Sequence, residues 1–242
     1  MHKDSRMTPP YINLDSLPNP IKQYVAWIDI MGTKSFYEKT NKSPMLYILK
    51  LHACAEAATK SKNGLRYYPA ADGLFLTHNE RTPLLEVVKE IFQEIALDVI
   101  NTRKIEYRYM IRAGIVHGEI NHGSDISLDQ QQLPLTNALR QSLVFGKALV
   151  DATEAEKGRP PFSATIHNSL FSNVPLSVSG PKYEYYAWFD DGFNKKEEFK
   201  NAILEYYTWI GAHRDWVNAY DEVKMKQHLF DFLLMLNDNH SS

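Results

Sequence analysis

Two aspartates stand where an acidic side chain is expensive. Asp29 ends the apolar run Tyr24-Val25-Ala26-Trp27-Ile28, and Asp72 sits in Ala71-Asp72-Gly73 between two strand-like segments. A carboxylate buried without a positive partner loses its hydration, and a divalent cation is one partner that compensates it. A single aspartate holds a magnesium ion poorly, so a second carboxylate is required from a neighbouring element. Gly32 follows Asp29 by three residues and lets the chain turn tightly. The amides of Thr33 and Lys34 can then point at an anion where a helix begins. Paired carboxylates beside an anion cradle are suited to metal-assisted chemistry on phosphates.

The elements that must position these residues follow from the same stretch. Tyr24 to Met31 is expected to be a strand buried on both faces, and Thr33 to Thr40 a short helix start. Asp72-Gly73 between Leu65-Arg66-Tyr67-Tyr68-Pro69 and Leu74-Phe75-Leu76-Thr77 predicts a hairpin. Laid beside the first strand, that hairpin would turn Asp72 toward Asp29. Helices are expected from Ser43 to about Lys60 and from Pro83 to about Thr102, the second with an apolar face of Leu84, Val87, Val88, Ile91, Ile95 and Val99.

Ile105 to Glu119 alternates with period two, which predicts a strand that sets Arg108 and Arg112 on one face. The polar stretch from Gly118 to Leu139 is placed as a flap. A helix is expected after Gly146 and ends at Gly158-Arg159-Pro160-Pro161; strands follow over Phe162 to His167 and Lys182 to Phe189. Lys195 to Asn237 is helical by pattern. This order predicts an α+β fold, an antiparallel sheet covered by helices on one face. The chain divides into an arm, residues 1–20, a domain over 21–190 and a helical extension over 191–242.

Composition excludes several classes. With 44% apolar residues over 242 positions the chain can bury a real core. A net charge of -2 leaves no basic footprint for nucleic acid. No apolar stretch approaches the roughly 18 residues that span a bilayer. The single cysteine, Cys54, excludes an internal disulfide framework and suits a reducing compartment, so a cytoplasmic location is expected. His117 and His122 lack the i, i+4 spacing of a zinc pair on a helix.

Four segments, in order, resemble the class III nucleotidyl cyclases, the family of adenylate and guanylate cyclase catalytic domains. They are Asp29-Ile30-Met31-Gly32, the Asp72 hairpin, Ile111-Arg112-Ala113-Gly114-Ile115-Val116-His117-Gly118, and Val144-Phe145-Gly146-Lys147-Ala148-Leu149-Val150-Asp151-Ala152. The similarity spans about Tyr24 to His167. It implies a ferredoxin-like core and a homodimer with active sites at its interface. It also implies two Mg²⁺ or Mn²⁺ ions on Asp29, Asp72 and the Ile30 carbonyl, with triphosphate over Gly32, Thr33 and Lys34.

The departures from the pattern shape the substrate expectation. Tyr68 stands where purine cyclases carry a base-reading lysine, and Leu143 where they carry an aspartate. Val150 and Glu154 replace the usual asparagine and arginine. This looks like the pyrimidine cyclases of the Pycsar antiphage systems, which make cyclic UMP or cyclic CMP for a separate sensing effector. A pyrimidine nucleoside triphosphate is therefore the expected substrate, UTP ahead of CTP, with Tyr68 and Arg112 as substrate-binding residues. Arg112, Arg108, Arg140 and Lys182 are the cations that could stand in for the lost arginine.

Plainer roles exist for the same residues. Asp29 would serve as a helix N-cap, Asp72 as a turn residue, Lys34 as a solvated lysine, Arg112 as a structural ion-pair partner and Tyr68 as core packing. A non-catalytic cyclase-like domain that binds a nucleotide or a partner is the alternative function. The related diguanylate cyclases are less similar, because their Gly-Gly-acidic turn is replaced by Ala70-Ala71-Asp72-Gly73.

Overall fold

Strand β1 (Ile21–Ile30) is the hub, because apolar residues on both of its faces need cover on both sides. The computed structural model describes residues 17–40, 42–60, 62–126, 135–167, 176–179, 183–213 and 222–237. After β1 come α1 (Thr33–Tyr37), α2 (Lys42–Thr59), the hairpin β2 (Arg66–Pro69) and β3 (Gly73–His78), α3 (Arg81–Asn101) and β4 (Ile111–His122). The chain continues through α4 (Asn137–Ser142), β5 (Val144–Phe145), α5 (Lys147–Glu156), β6 (Ala164–His167), β7 (Leu176–Ser179) and β8 (Tyr183–Tyr186), and then α6 (Lys196–Ala212) and α7 (Glu222–Asn237). The strands lie in the order β2-β3-β1-β4-β6-β8-β7, with β5 paired to the far end of β4. The β4–β6 pair is parallel; the other pairs are antiparallel. This is the expected α+β class, but the sheet is mixed where a purely antiparallel one is expected, and α5 covers the second face where helices are expected on one face alone.

Alternation along β1 divides the interior. Ala26, Ile28 and Ile30 enter the main core with Leu74 and Leu76 of β3 and Ile111, Ala113 and Ile115 of β4. Helix α3 covers that face with Leu84, Val87, Val88, Ile91, Ile95 and Val99, as its period indicates. Phe199, Ile203, Tyr206 and Phe232 bring α6 and α7 into the same core, so the C-terminal helices pack with the sheet. Val25, on the other face, meets Val116 and Ile120 and the alanine stripe Ala148, Ala152 and Ala155 of α5. That helix can lie so close because residue 114 is glycine: a Cβ there would come within 2.0 Å of the Ala152 carbonyl oxygen.

Several boundaries differ from expectation. Ile105–Tyr107 forms a 3-10 turn and β4 begins only at Ile111, so Arg108 precedes the strand and does not share a face with Arg112. Its guanidinium is buried and donates to the carbonyls of Thr102 at 3.1 Å and Ala202 at 3.0 Å and to Glu205 at 2.9 Å. Arg108 ties α6 to the sheet and is not a site residue. Strand β4 also runs on through His122 into the region expected as a flap. The C-terminal helical segment is split into α6 and α7. Lys182, most of the expected arm and residues 127–134 of the flap lie outside the described residues. Among the described residues no helix is long and apolar enough to cross a membrane.

Candidate active site

The register of the central strands brings the expected site residues to one end of the sheet. Asp29 pairs with Gly73 on one side and with Arg112 on the other. Asp72, next to Gly73, is fixed by both its backbone and its side chain. The Ile30 amide donates to its carbonyl at 3.2 Å, and the Thr33 hydroxyl donates to its carboxylate at 2.6 Å. Two carboxylates separated by 43 positions in the chain thus share one corner of the molecule.

Between them the chain turns at Gly32, whose φ of 78° lies in the left-handed region that glycine adopts without strain. Gly32 is the N-cap of α1, which displaces the plainer role of Asp29 as a helix cap. The Gly32 carbonyl accepts from the Ser35 amide at 3.1 Å. Thr33 is buried against Asp72, whereas Lys34 is exposed on α1.

Arg112 stands between two carboxylates. Its Nη2 is 3.6 Å from Asp29 Oδ2, and its Nε forms an ion pair with Glu156 at the end of α5. The Arg112 and Asp29 side chains are 18% and 17% exposed, and Glu156 only 5%. Burial pushes the Asp29 carboxyl up to about 6; Arg112 opposes the shift and the Asp72 charge adds to it. The nearby His228 of α7 is held below the usual histidine range by burial and then by the Arg112 charge.

Those values test whether divalent cations suit the residues present. Arg112 does not fully compensate Asp29, and a second carboxylate close by makes the deficit of positive charge larger. Hard oxygen donors with surplus negative charge fit Mg²⁺ or Mn²⁺. Among the described residues no group of three His, Cys, Asp or Glu side chains could hold a metal, so the side-chain carboxylates on offer at this corner are this pair.

Tyr68 lies on β2, two strands from β1, and is 4% exposed. The far end of β4 brings His122 to it: Tyr68 Oη is 2.5 Å from His122 Nδ1, and His122 Nε2 is 3.0 Å from Gln23 Oε1. Gln23 Nε2 in turn donates to Asn79 at 2.5 Å. Because Gln23 presents an oxygen, His122 donates through Nε2 and accepts a hydrogen bond from the Tyr68 hydroxyl at Nδ1. Burial holds His122 down at about 4, so it is neutral at physiological pH. The Tyr68 hydroxyl is therefore engaged inside the protein.

The remaining positions scatter. Val150 is exposed on α5, Glu154 pairs with Lys157, and Arg140 is half-buried on α4. Sequence reasoning passed over Glu156 and Gln23, and weighed His122 only as a zinc ligand. Glu156 had a signal, since it continues the Ala148, Ala152 stripe at helical spacing with a charge where a small apolar residue is expected. His122 and Gln23 had none, because their contacts join distant strands.

No protein-family model matches the chain, and no curated protein matches it. Solved structures do resemble it. The guanylyl cyclase domain of the RhoGC fusion protein from the aquatic fungus Blastocladiella emersonii, a monomeric form, superposes with a TM-score of 0.52 at 16% identity, over 70% of this chain and 96% of that one. A bacterial light-regulated adenylyl cyclase gives 0.54 at 9% identity, over 82% of this chain and 60% of that one. At such identities the likeness is one of fold. The α+β architecture described above is that of nucleotidyl cyclase domains.

Proposed function

We propose that this protein is a two-metal nucleotidyl cyclase acting on a pyrimidine nucleoside triphosphate, UTP ahead of CTP, as a cytoplasmic homodimer with its sites at the subunit interface. The observation that carries the proposal is the meeting of Asp29 and Asp72 at one corner of a cyclase-like sheet, with Asp29 left under-compensated.

In this proposal Asp29, Asp72 and the Ile30 carbonyl would hold two divalent cations. When bound, such ions lower the cost of forming an alkoxide and offset the charge that builds on the phosphates. The turn at Gly32, Thr33 and Lys34 and the Arg112 guanidinium bind and orient the triphosphate. The ribose 3′ oxygen gives up its proton and attacks the α-phosphorus, the bond to the β-phosphate oxygen breaks, and pyrophosphate leaves with 3′,5′-cyclic UMP or CMP. No covalent enzyme intermediate forms. Pyrimidine preference is supported by the absence of a cation at Tyr68 and of the polar groups at Leu143 and Val150. The product would signal to a separate effector in antiphage defence.

One observation favours a second function. Arg112 is engaged by both Asp29 and Glu156, and Glu154 stands where the resemblance implies a transition-state arginine. A non-catalytic nucleotide-binding domain would tolerate both. Incubation of the pure protein with UTP, CTP, ATP or GTP in Mg²⁺ and in Mn²⁺, with products resolved by mass, separates the readings. Cyclic UMP or CMP with stoichiometric pyrophosphate supports the proposal. A cyclic purine nucleotide as the main product rejects the specificity, and nucleotide binding without any pyrophosphate establishes the second function.

A further inference from the structure

Glu156 is a buried acid that the proposed chemistry does not use directly. It sits in the last turn of α5, on the opposite face of the sheet from the main core, and is held there by the close approach of α5 at Gly114. A Cβ on residue 114 would meet not only the Ala152 carbonyl but also the Glu156 amide nitrogen, at 2.9 Å. The glycine thus sets the height of Glu156 above β4. Arg112, two residues before Gly114, points from the same face of that strand.

We infer that Glu156 is a positioning residue, whose ion pair with the Arg112 Nε holds the guanidinium so that its Nη edge faces the Asp29 corner, where it meets a polyphosphate. This rests on the proposed function for the identity of the ligand, but its geometry is independent of any turnover. The two carboxylates hold Arg112 unequally. The Asp29 contact, at 3.6 Å, is a loose ion pair between partly exposed groups, whereas Glu156, the ion-pair partner of Nε, is almost wholly buried. If Asp29 were to hold a cation, its contact with Arg112 would weaken while the buried Glu156 pair would stay. A guanidinium anchored at Nε keeps its paired Nη donors in the planar fork that suits phosphate oxygens. Without the anchor, a long side chain near the end of a central strand would be free to swing away from the Asp29 corner.

The test is calorimetric titration of inorganic tripolyphosphate into the full-length protein with excess Mg²⁺, beside steady-state kinetics with UTP. Glu156→Gln keeps the shape and removes the charge. It is expected to weaken tripolyphosphate binding about tenfold and to raise KM for UTP by a similar factor, with kcat changed less than about threefold. Arg112→Gln is expected to weaken binding at least as much. The double variant should bind no worse than Arg112→Gln alone, because the acid acts only through the arginine. Glu156→Asp, which keeps the charge but withdraws it by one methylene, should fall between wild type and Glu156→Gln and guards against a variant that fails to fold. Wild-type binding in Glu156→Gln, or losses that add in the double variant, overturn the inference while leaving the cyclase proposal standing. Tripolyphosphate binding that follows this pattern in a protein that cyclises no nucleotide upholds the inference and rejects the enzyme. A wild-type protein that binds no tripolyphosphate removes both.

Discussion

Asp29 and Arg112 face each other directly across β1 and β4, with Oδ2 and Nη2 3.6 Å apart. The pair is unequal to its surroundings: even with the arginine alongside, burial and the neighbouring Asp72 charge hold the Asp29 carboxyl at about 6. A group whose folded value lies above its unfolded one binds protons more readily in the folded state. Its charge therefore opposes folding at neutral pH, and stability rises as pH falls from about 6 toward the ordinary carboxylate value.

The first expectation is a trade of stability for activity. Asp29→Asn removes the costly charge and should stabilise the metal-free protein at pH 7 by about 1–3 kcal/mol, or roughly 2–10 °C in melting temperature. The same variant should lose at least about 10³-fold in turnover, because a neutral amide no longer holds the cations. Asp72→Asn should lose turnover similarly. Thermal melts in chelator and a cyclic nucleotide assay measure the two effects; full activity in either variant refutes the paired-carboxylate site.

Proton competition gives a second expectation. Cations need Asp29 ionised, so apparent Mn²⁺ affinity should be level above about pH 6.5 and fall about tenfold per pH unit below the value near 6. Titration calorimetry with Mn²⁺ between pH 5 and pH 8 measures it. In Asp29→Asn that slope should disappear along with most of the affinity.

Thr33 supplies a third. Its hydroxyl orients the Asp72 carboxylate at 2.6 Å, and groups of this kind commonly tune metal affinity by about 10–100-fold. Thr33→Val keeps the shape without the donor. Metal affinity should drop by about tenfold while the melting temperature changes little, because Asp72 remains fixed by the Ile30 amide.

His122 predicts an acid-side weakness unrelated to the Asp29 corner. It is neutral in the fold with a value near 4 but protonates near 6.5 when unfolded. Stability from this group is complete above about pH 6.5 and is lost as pH falls toward 4, by on the order of 2–3 kcal/mol. Urea unfolding at pH 7 and at pH 4.5 should show the decline, and His122→Gln should flatten it. Tyr68→Phe, by contrast, should reduce stability by about 1 kcal/mol at both pH values and leave substrate choice unchanged, since its hydroxyl serves His122.

Gly114→Ala tests the seating of α5. The new methyl carbon would meet the Ala152 carbonyl at 2.0 Å, so the helix must lift or the strand must bend. A loss of about 1–3 kcal/mol is expected. Tripolyphosphate binding should weaken too, because Glu156 moves with the helix.

The sequence alone determined much of the corner where Asp29 and Asp72 meet. Asp29 ends a buried strand and breaks at Gly32, and Asp-Gly at 72–73 marks a hairpin; both are local signals, carried by composition and turn chemistry within a few residues. The apolar face of α3 was legible for the same reason. Period two failed before Ile111, because Arg108 is bound by carbonyls and an acid from residues 102, 202 and 205. Only the tertiary structure decided that Tyr68 is engaged by His122, that Gly114 admits α5, and that Glu156 grips Arg112. Each of these depends on the register between strands or on the height of a helix above a sheet. Such distances are fixed by packing across the whole core, and no spacing along the chain encodes them.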